Sequence, residues 1–431
     1  MKRPNPAACY VIGPHLTCQM GTLFGRRGLL RLASASAVAS VARRARADEA
    51  EIRIGYIRWM ERHPTISLLD QQSPDDGLAG ALLATEDNNT TGQFLSQRFT
   101  LIDHKLHESD DLGQVLGAVA EQGAQLLMTD APADQVLKLA DAATGHGDTI
   151  FNIAATDDEL REENCRNNVI HVAPTRTMLA DGLGQYLVWK KWSRWLLAYG
   201  SHPDDAKLAD AYRRSAKRFG ARIVEEREFK DTGGARQTDS GVTETQGQIP
   251  VFTQGAREYD VLVAADENQV FAGYLPYRTW DPRPVCGSAG LMPVTWDPSS
   301  ESWGGTQLQN RFVRRFHRLM KPLDMQAWTA CRMIGEAASH AKSADSKAIM
   351  TYMQGPDFGV AAYKGKRLTL RNWNWQLRQP IMLSDGRNVV SKVRPTKFAT
   401  KPASRWLLSQ QTLQRRQGAR RCSAHVRALT S

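Results

Sequence analysis

Apolar residues recur at two spacings along this chain, and the two spacings alternate. Residues 51–58 (EIRIGYIR) are apolar at every second position, the period of a strand. Residues 78–88 carry apolar positions at helical spacing, and Asn88-Asn89-Thr90-Thr91-Gly92 predicts the end of that helix. A strand is expected at 99–107, a helix at 112–122, a short buried strand at 125–129 and a helix at 133–143. Strands follow at 149–154 and 168–172. Such a run of β-α units predicts a largely parallel, doubly wound sheet.

The pattern then restarts. Residues 178–192 read as a helix, 194–199 as a strand, 206–219 as a helix, and 222–229 and 259–265 as strands. The expectation is two consecutive α/β halves joined near Pro174. After Pro293 comes a helical block at 305–319, 325–342 and 346–353. Strand-like segments at 367–371, 379–383 and 388–394 follow, with Ser384-Asp385-Gly386-Arg387 as a hairpin turn.

Composition fits this picture. The chain has 431 residues, 42% hydrophobic and 23% charged, enough for two or three domains with a real core. No stretch reaches the roughly 20 consecutive apolar residues of a spanning helix.

The net charge of +11 belongs to the ends. Residues 1–47 hold eight Lys or Arg and no acid, and 399–431 hold seven and no acid, which leaves about −4 for the body. A mildly acidic body argues against nucleic acid as a partner. The basic 399–431 segment reads as a disordered tail, with an interaction arm or a shifted reading frame as alternatives.

Arg26-Arg27 precede a weak hydrophobic run from Leu32 to Ala42, and Ala45-Arg46-Ala47 suits a signal peptidase. This resembles a twin-arginine export signal over 1–47. Gly25 stands where Ser or Thr is usual, and Met20 is a candidate start. The mature protein would begin near Asp48 and work in the bacterial periplasm, an oxidising space. Of the body cysteines, Cys165, Cys286 and Cys331, at most two can pair with each other; buried inert thiols are the plainer expectation.

Catalytic signatures are missing. The first strand runs into Trp59-Met60-Glu61-Arg62-His63-Pro64, with no glycine loop to cradle a pyrophosphate. There is no GxxxxGK[ST], GxSxG or HExxH. His104 and His107, three apart in a strand, face opposite sides. Glu108, Asp110 and Asp111 read as a turn and helix cap, and Asp157, Asp158 and Glu159 as a helix start. No metal site and no cofactor are expected. Two α/β halves without a reaction centre suggest a binding cleft at the carboxyl ends of the strands.

Three segments carry a family resemblance: Gly77 to Gly92 (GLAGALLATEDNNTTG), Asn152 to Thr156 (NIAAT), and Asn374-Trp375-Gln376-Leu377-Arg378-Gln379-Pro380-Ile381. Together they resemble the branched-chain amino-acid-type substrate-binding proteins of ABC transporters. The last is similar to a subgroup associated with PQQ-dependent alcohol oxidation.

The resemblance implies a type I periplasmic binding fold, two doubly wound α/β lobes joined by a three-crossing hinge. The N-lobe would be 48–175 plus 295–362 and the C-lobe 176–292 plus 363–398. It also implies a monomer that passes a small-molecule ligand to an ABC transporter permease. The ligand positions implied are Asp130-Ala131, Ala155-Thr156 and Asp157, with Trp59 as an apolar wall. On the C-lobe they are Asp266 and Asn268, in a loop that also holds Glu267, and Arg236. Relatives often place Ser or Thr where this chain has Asp130. An acid there would repel an α-carboxylate, so a polyol, amine, cation or metal-bearing ligand is expected. The alternatives are a periplasmic sensor of the same fold and an exported cofactor enzyme.

Overall fold

The computed structural model describes residues 49–61, 72–232 and 244–393. Strand β1 (Ala50–Trp59) alternates as expected: Ile52, Ile54 and Tyr56 join one hydrophobic cluster and Ile57 joins another on the opposite face. Burial on both faces is what a parallel sheet under two helix layers requires. Next come α1 (Leu78–Gly92), β2 (Gln97–Leu106), α2 (Leu112–Glu121), β3 (Leu126–Thr129), α3 (Ala133–Ala143), β4 (Thr149–Asn152) and β5 (Val169–His171). The five strands are parallel in the order β2-β1-β3-β4-β5, with Ile54 registered against both Leu101 and Leu126. Asp111 caps α2 as expected, accepting from the amide of Gly113 at 2.8 Å.

Helix α1 does not stop at Asn88. Its polar end is used in packing: Asn88 donates to the carbonyl of Cys331, and the Asn89 amide pairs with both backbone groups of Phe99 on β2. The breakers are retained because tertiary partners satisfy their side chains.

The second half repeats the plan with α4 (Arg176–Trp189), β6 (Arg194–Gly200), α5 (Pro203–Phe219), β7 (Arg222–Phe229), α6 (Glu244–Thr253), β8 (Val261–Ala265), α7 (Leu275–Arg278) and β9 (Val285–Gly287). Its strands are parallel in the order β7-β6-β8-β9. Trp195 and Leu197 pack under α4 and α5, and Leu196 and Ala198 face the other side.

The remaining elements are β10 (Met292–Val294), α8 (Gly305–Phe316), α9 (Pro322–Ala341), α10 (Ser346–Gln354), β11 (Val360–Ala361), β12 (Arg367–Leu370), β13 (Leu377–Arg378), β14 (Ile381–Ser384) and β15 (Val389–Val393). Helix α9 closes over the first sheet. A Cβ on Gly80 of α1 would lie 1.9 Å from the carbonyl oxygen of Asp324, so only glycine permits this approach. Leu368 and Leu377 of β12 and β13 also belong to the first half's cluster. Only from Ile381 does the chain pair with β10, and Leu383 and Val393 join the second half's cluster. The β14–β15 turn places Gly386 at φ 84°.

Cys286 and Cys331 are free and buried, as expected of inert thiols, whereas Cys165 is disulfide-bonded. Among the described residues no helix is long and apolar enough to cross a membrane. The export signal over 1–47 and the tail over 399–431 lie outside the described residues.

Candidate ligand-binding cleft

The carboxyl ends of the two parallel sheets face a common cleft of about 530 Å³. On the first-sheet side it is walled by Trp59 at the end of β1, by Asp130 and Ala131 after β3, and by Ala155, Thr156 and Asp157 after β4. On the second-sheet side it is walled by Arg176 of α4, Asp204 and Lys207 of α5, and Glu267 after β8. Six residues expected from the sequence therefore meet in one cavity.

Several of them are already engaged with the protein. Asp130 accepts from the Trp59 amide at 2.6 Å and from the Tyr56 hydroxyl at 3.1 Å. Burial pushes its carboxyl up to about 6, against these hydrogen bonds. The Ala131 amide donates to Thr129 Oγ1. Asn152 Oδ1 accepts from the amides of Ala154 and Ala155, and its Nδ2 donates to the Ala155 carbonyl. That one side chain folds the loop after β4. The Thr156 carbonyl accepts from the Arg176 amide at 2.9 Å.

A five-residue charge cluster crosses the cleft. Arg176 grips Glu267 with two hydrogen bonds, Nε to Oε2 at 2.6 Å and Nη2 to Oε1 at 2.8 Å. Its Nη1 lies 2.7 Å from Asp157 Oδ1, and Lys207 Nζ lies 3.1 Å from the same oxygen and 3.2 Å from Asp204 Oδ1. Burial alone would raise Asp157; Arg176 and Lys207 outweigh it and hold the carboxyl below its ordinary value. Arg176 is held above its ordinary value by Glu267 and Asp157, against the effect of burial.

Two expected residues are elsewhere. Asp266 is buried and turned away, its carboxylate accepting from the amides of Val270, Phe271 and Ala272 at 2.6–2.9 Å. Asn268 donates from Nδ2 to Asp205 Oδ1, and that oxygen also accepts from the Glu267 and Asn268 amides. Asp205 thus pins the loop so that Glu267 alone reaches the cleft. Arg236 lies outside the described residues.

Sequence reasoning missed Arg176, Asp204 and Lys207. One signal was available: Arg176 opens a helix, where a cation opposes the macrodipole unless acids stand nearby. The segment around Gln376 lies behind the cleft. Gln376 Nε2 donates to the carbonyls of His171 and Ala173, and Gln379 Nε2 donates to that of Val172. The end of the first half, where the chain crosses to α4, is therefore bonded to the segment that crosses back.

Residues 70–238 match the sequence profile of the family described as "Periplasmic binding protein". No curated protein sequence matches the chain. Solved structures share its fold. A branched-chain amino-acid ABC transporter periplasmic ligand-binding protein from Burkholderia xenovorans LB400 has a TM-score of 0.61 at 16% identity, over 81% of this chain and 97% of that one. The leucine-, isoleucine-, valine-, threonine- and alanine-binding protein from Brucella ovis, in a closed conformation, has a TM-score of 0.61 at 12% identity, over 77% and 89%. A solute-binding protein of an ABC transporter from Rhodopseudomonas palustris BisB5, in complex with 3,4-dihydroxybenzoic acid, has a TM-score of 0.59 at 12% identity, over 81% and 99%. The fold is the type I periplasmic binding fold, with two α/β lobes built on parallel sheets.

Proposed function

We propose that this chain is the periplasmic solute-binding component of an ABC import system linked to PQQ-dependent alcohol oxidation. The observation that carries the reading is the cleft itself: two parallel sheets present their carboxyl ends to one cavity, bridged by charges from both sides. The relatives' descriptions support the same role, each naming a ligand-binding or solute-binding protein. The sequence of the 374–381 segment supports the alcohol-oxidation link, and the 1–47 segment supports twin-arginine export to the periplasm.

Packing of Leu368 and Leu377 with the first half supports a last crossing near Gln379 rather than the expected one between 362 and 363. Among the described residues one lobe then comprises 49–61, 72–175 and 295–378, the other 176–232, 244–292 and 381–393, with the remaining crossings near Thr175 and Val294. Capture is a shift between open and closed populations, driven by contacts a ligand makes to both lobes only when they close. No covalent step is involved. The protein acts as a monomer and delivers its ligand to the permease.

Calorimetry of the full chain against alcohols, amino acids, PQQ and multivalent cations tests the reading. A saturable heat with one site per chain is expected. Silence across that panel overturns it.

A further inference from the structure

Resting on the solute-capture reading, we infer that the cleft selects a small organic cation, an amine-bearing solute rather than a carboxylate. The described lining carries eight carboxylates and three cationic side chains, a formal excess of five negative charges. A cleft lined by one sign of charge concentrates the opposite sign.

All three cations are already paired. Arg58 holds Asp103 through Nε and Nη2 at 2.5 and 2.8 Å and donates from Nη1 to the Pro74 carbonyl. Arg176 is held by Glu267 and Asp157, and Lys207 by Asp157 and Asp204. At Arg58 or Arg176, both buried, a carboxylate ligand would have to displace one of these pairs and strand a buried charge, which leaves half-exposed Lys207 as the one cation it could reach. Two of the loop amides are committed as well, that of Ala131 to Thr129 and that of Ala155 to Asn152, which leaves Thr156 as the polar donor of these loops. The first turn of α3 is the feature of opposite sign, and Asp134 within that turn already supplies its negative charge.

Acceptors remain open. Asp157 is nine-tenths buried, both cations lie on its Oδ1, and its Oδ2 accepts no hydrogen bond among the described residues. Trp59 packs partly against the core and lines the cleft, so its ring is available to a cation. Among the described residues no group of three or more His, Cys, Asp or Glu converges as metal ligands would. Dispersed carboxylates beside an aromatic wall suit a molecular cation, and about 530 Å³ admits a small one.

The test is calorimetry of the full chain with putrescine, choline, succinate, benzoate and glycerol at matched ionic strength. At least one of the two amines is expected to bind tenfold or more tightly than either acid or the polyol. Asp134 and Glu159 both line the cleft, and Asp134→Asn combined with Glu159→Gln is expected to weaken that amine about tenfold, as is Trp59→Ala, with the melting temperature checking that each variant folds. Tighter binding of an acid or of glycerol overturns the charge selection and leaves solute capture standing. Silence from both amines overturns the inference whatever else binds. Capture itself fails only if the wider panel is silent as well.

Discussion

Arg161 donates from Nε to Gln376 Oε1 at 3.0 Å, a bond between residues 215 positions apart. The same buried guanidinium donates from Nη1 to the carbonyls of Ala155 and Asp157 at 2.9 Å and from Nη2 to that of Ala173 at 2.8 Å. One side chain thus ties the cleft loop after β4 to both neighbouring crossings. It does so without a hydrogen-bonded carboxylate, and burial pushes it down to about 9.

Replacing Arg161 by Met strands several buried carbonyls and the Gln376 oxygen. At about 1–3 kcal/mol for each acceptor left unpaired, and with relaxation recovering part, the expected loss is about 3–5 kcal/mol. Urea denaturation of wild type and variant measures it. A loss under about 1 kcal/mol contradicts the assignment.

Asp130 gives stability a pH dependence. Its folded value of about 6 lies above the ordinary 3.8, so the folded state binds this proton more tightly. Its contribution is fully present below about pH 4 and is lost as pH rises through 6, by up to about 3 kcal/mol. Asp130→Asn keeps an acceptor for the Trp59 amide and a donor for Tyr56. Denaturation midpoints between pH 4 and 7 should fall more steeply with pH in wild type than in the variant. Parallel profiles would refute the account.

Much of this was legible in the sequence because the lobes are made of repeated β-α units whose burial imposes period on the chain. The end of α1 was not legible, since the partners that rescue Asn88 and Asn89 come from α9 and β2. Helix α6 contains Pro250, which argues against a helix locally. Strands of two or three residues, such as β9, β11 and β13, are too short to show a period. In the site, the loop after β8 was foreseen but its orientation was not. Whether Asp266, Glu267 or Asn268 faces the cleft is decided by Asp205, 61 residues or more upstream. Arg176 and Lys207 matter only because a second sheet brings them opposite Asp157.

Lys364 is buried beside the third crossing and donates from Nζ to Gln379 Oε1. Burial, with help from the charge of Lys392, pushes it down to about 7. Between pH 7 and about 10.5 the unfolded chain binds this proton and the folded chain does not, so stability rises with pH across that window. Lys364→Met removes the buried charge and strands the Gln379 oxygen. The variant should be more stable than wild type by about 1–3 kcal/mol at pH 6 and should lose that advantage by pH 9. A constant difference across this range would rule out the titration.

Asp157 is the first-lobe partner of both Arg176 and Lys207. Asp157→Asn should shift the ligand-free protein toward open forms, with a larger radius of gyration than wild type at low salt. In about 1 M salt, where the screening length falls to about 3 Å, wild type should approach the variant. Equal radii at low salt would show that these pairs do not hold the lobes together.

The central claim is that the cleft closes on a solute. Small-angle scattering of the full chain, titrated with whichever compound gives a saturable heat, tests it most directly. The radius of gyration should fall as the compound binds and level off at the saturation seen by calorimetry. A bound compound that leaves the scattering profile unchanged would contradict closure around a captured solute.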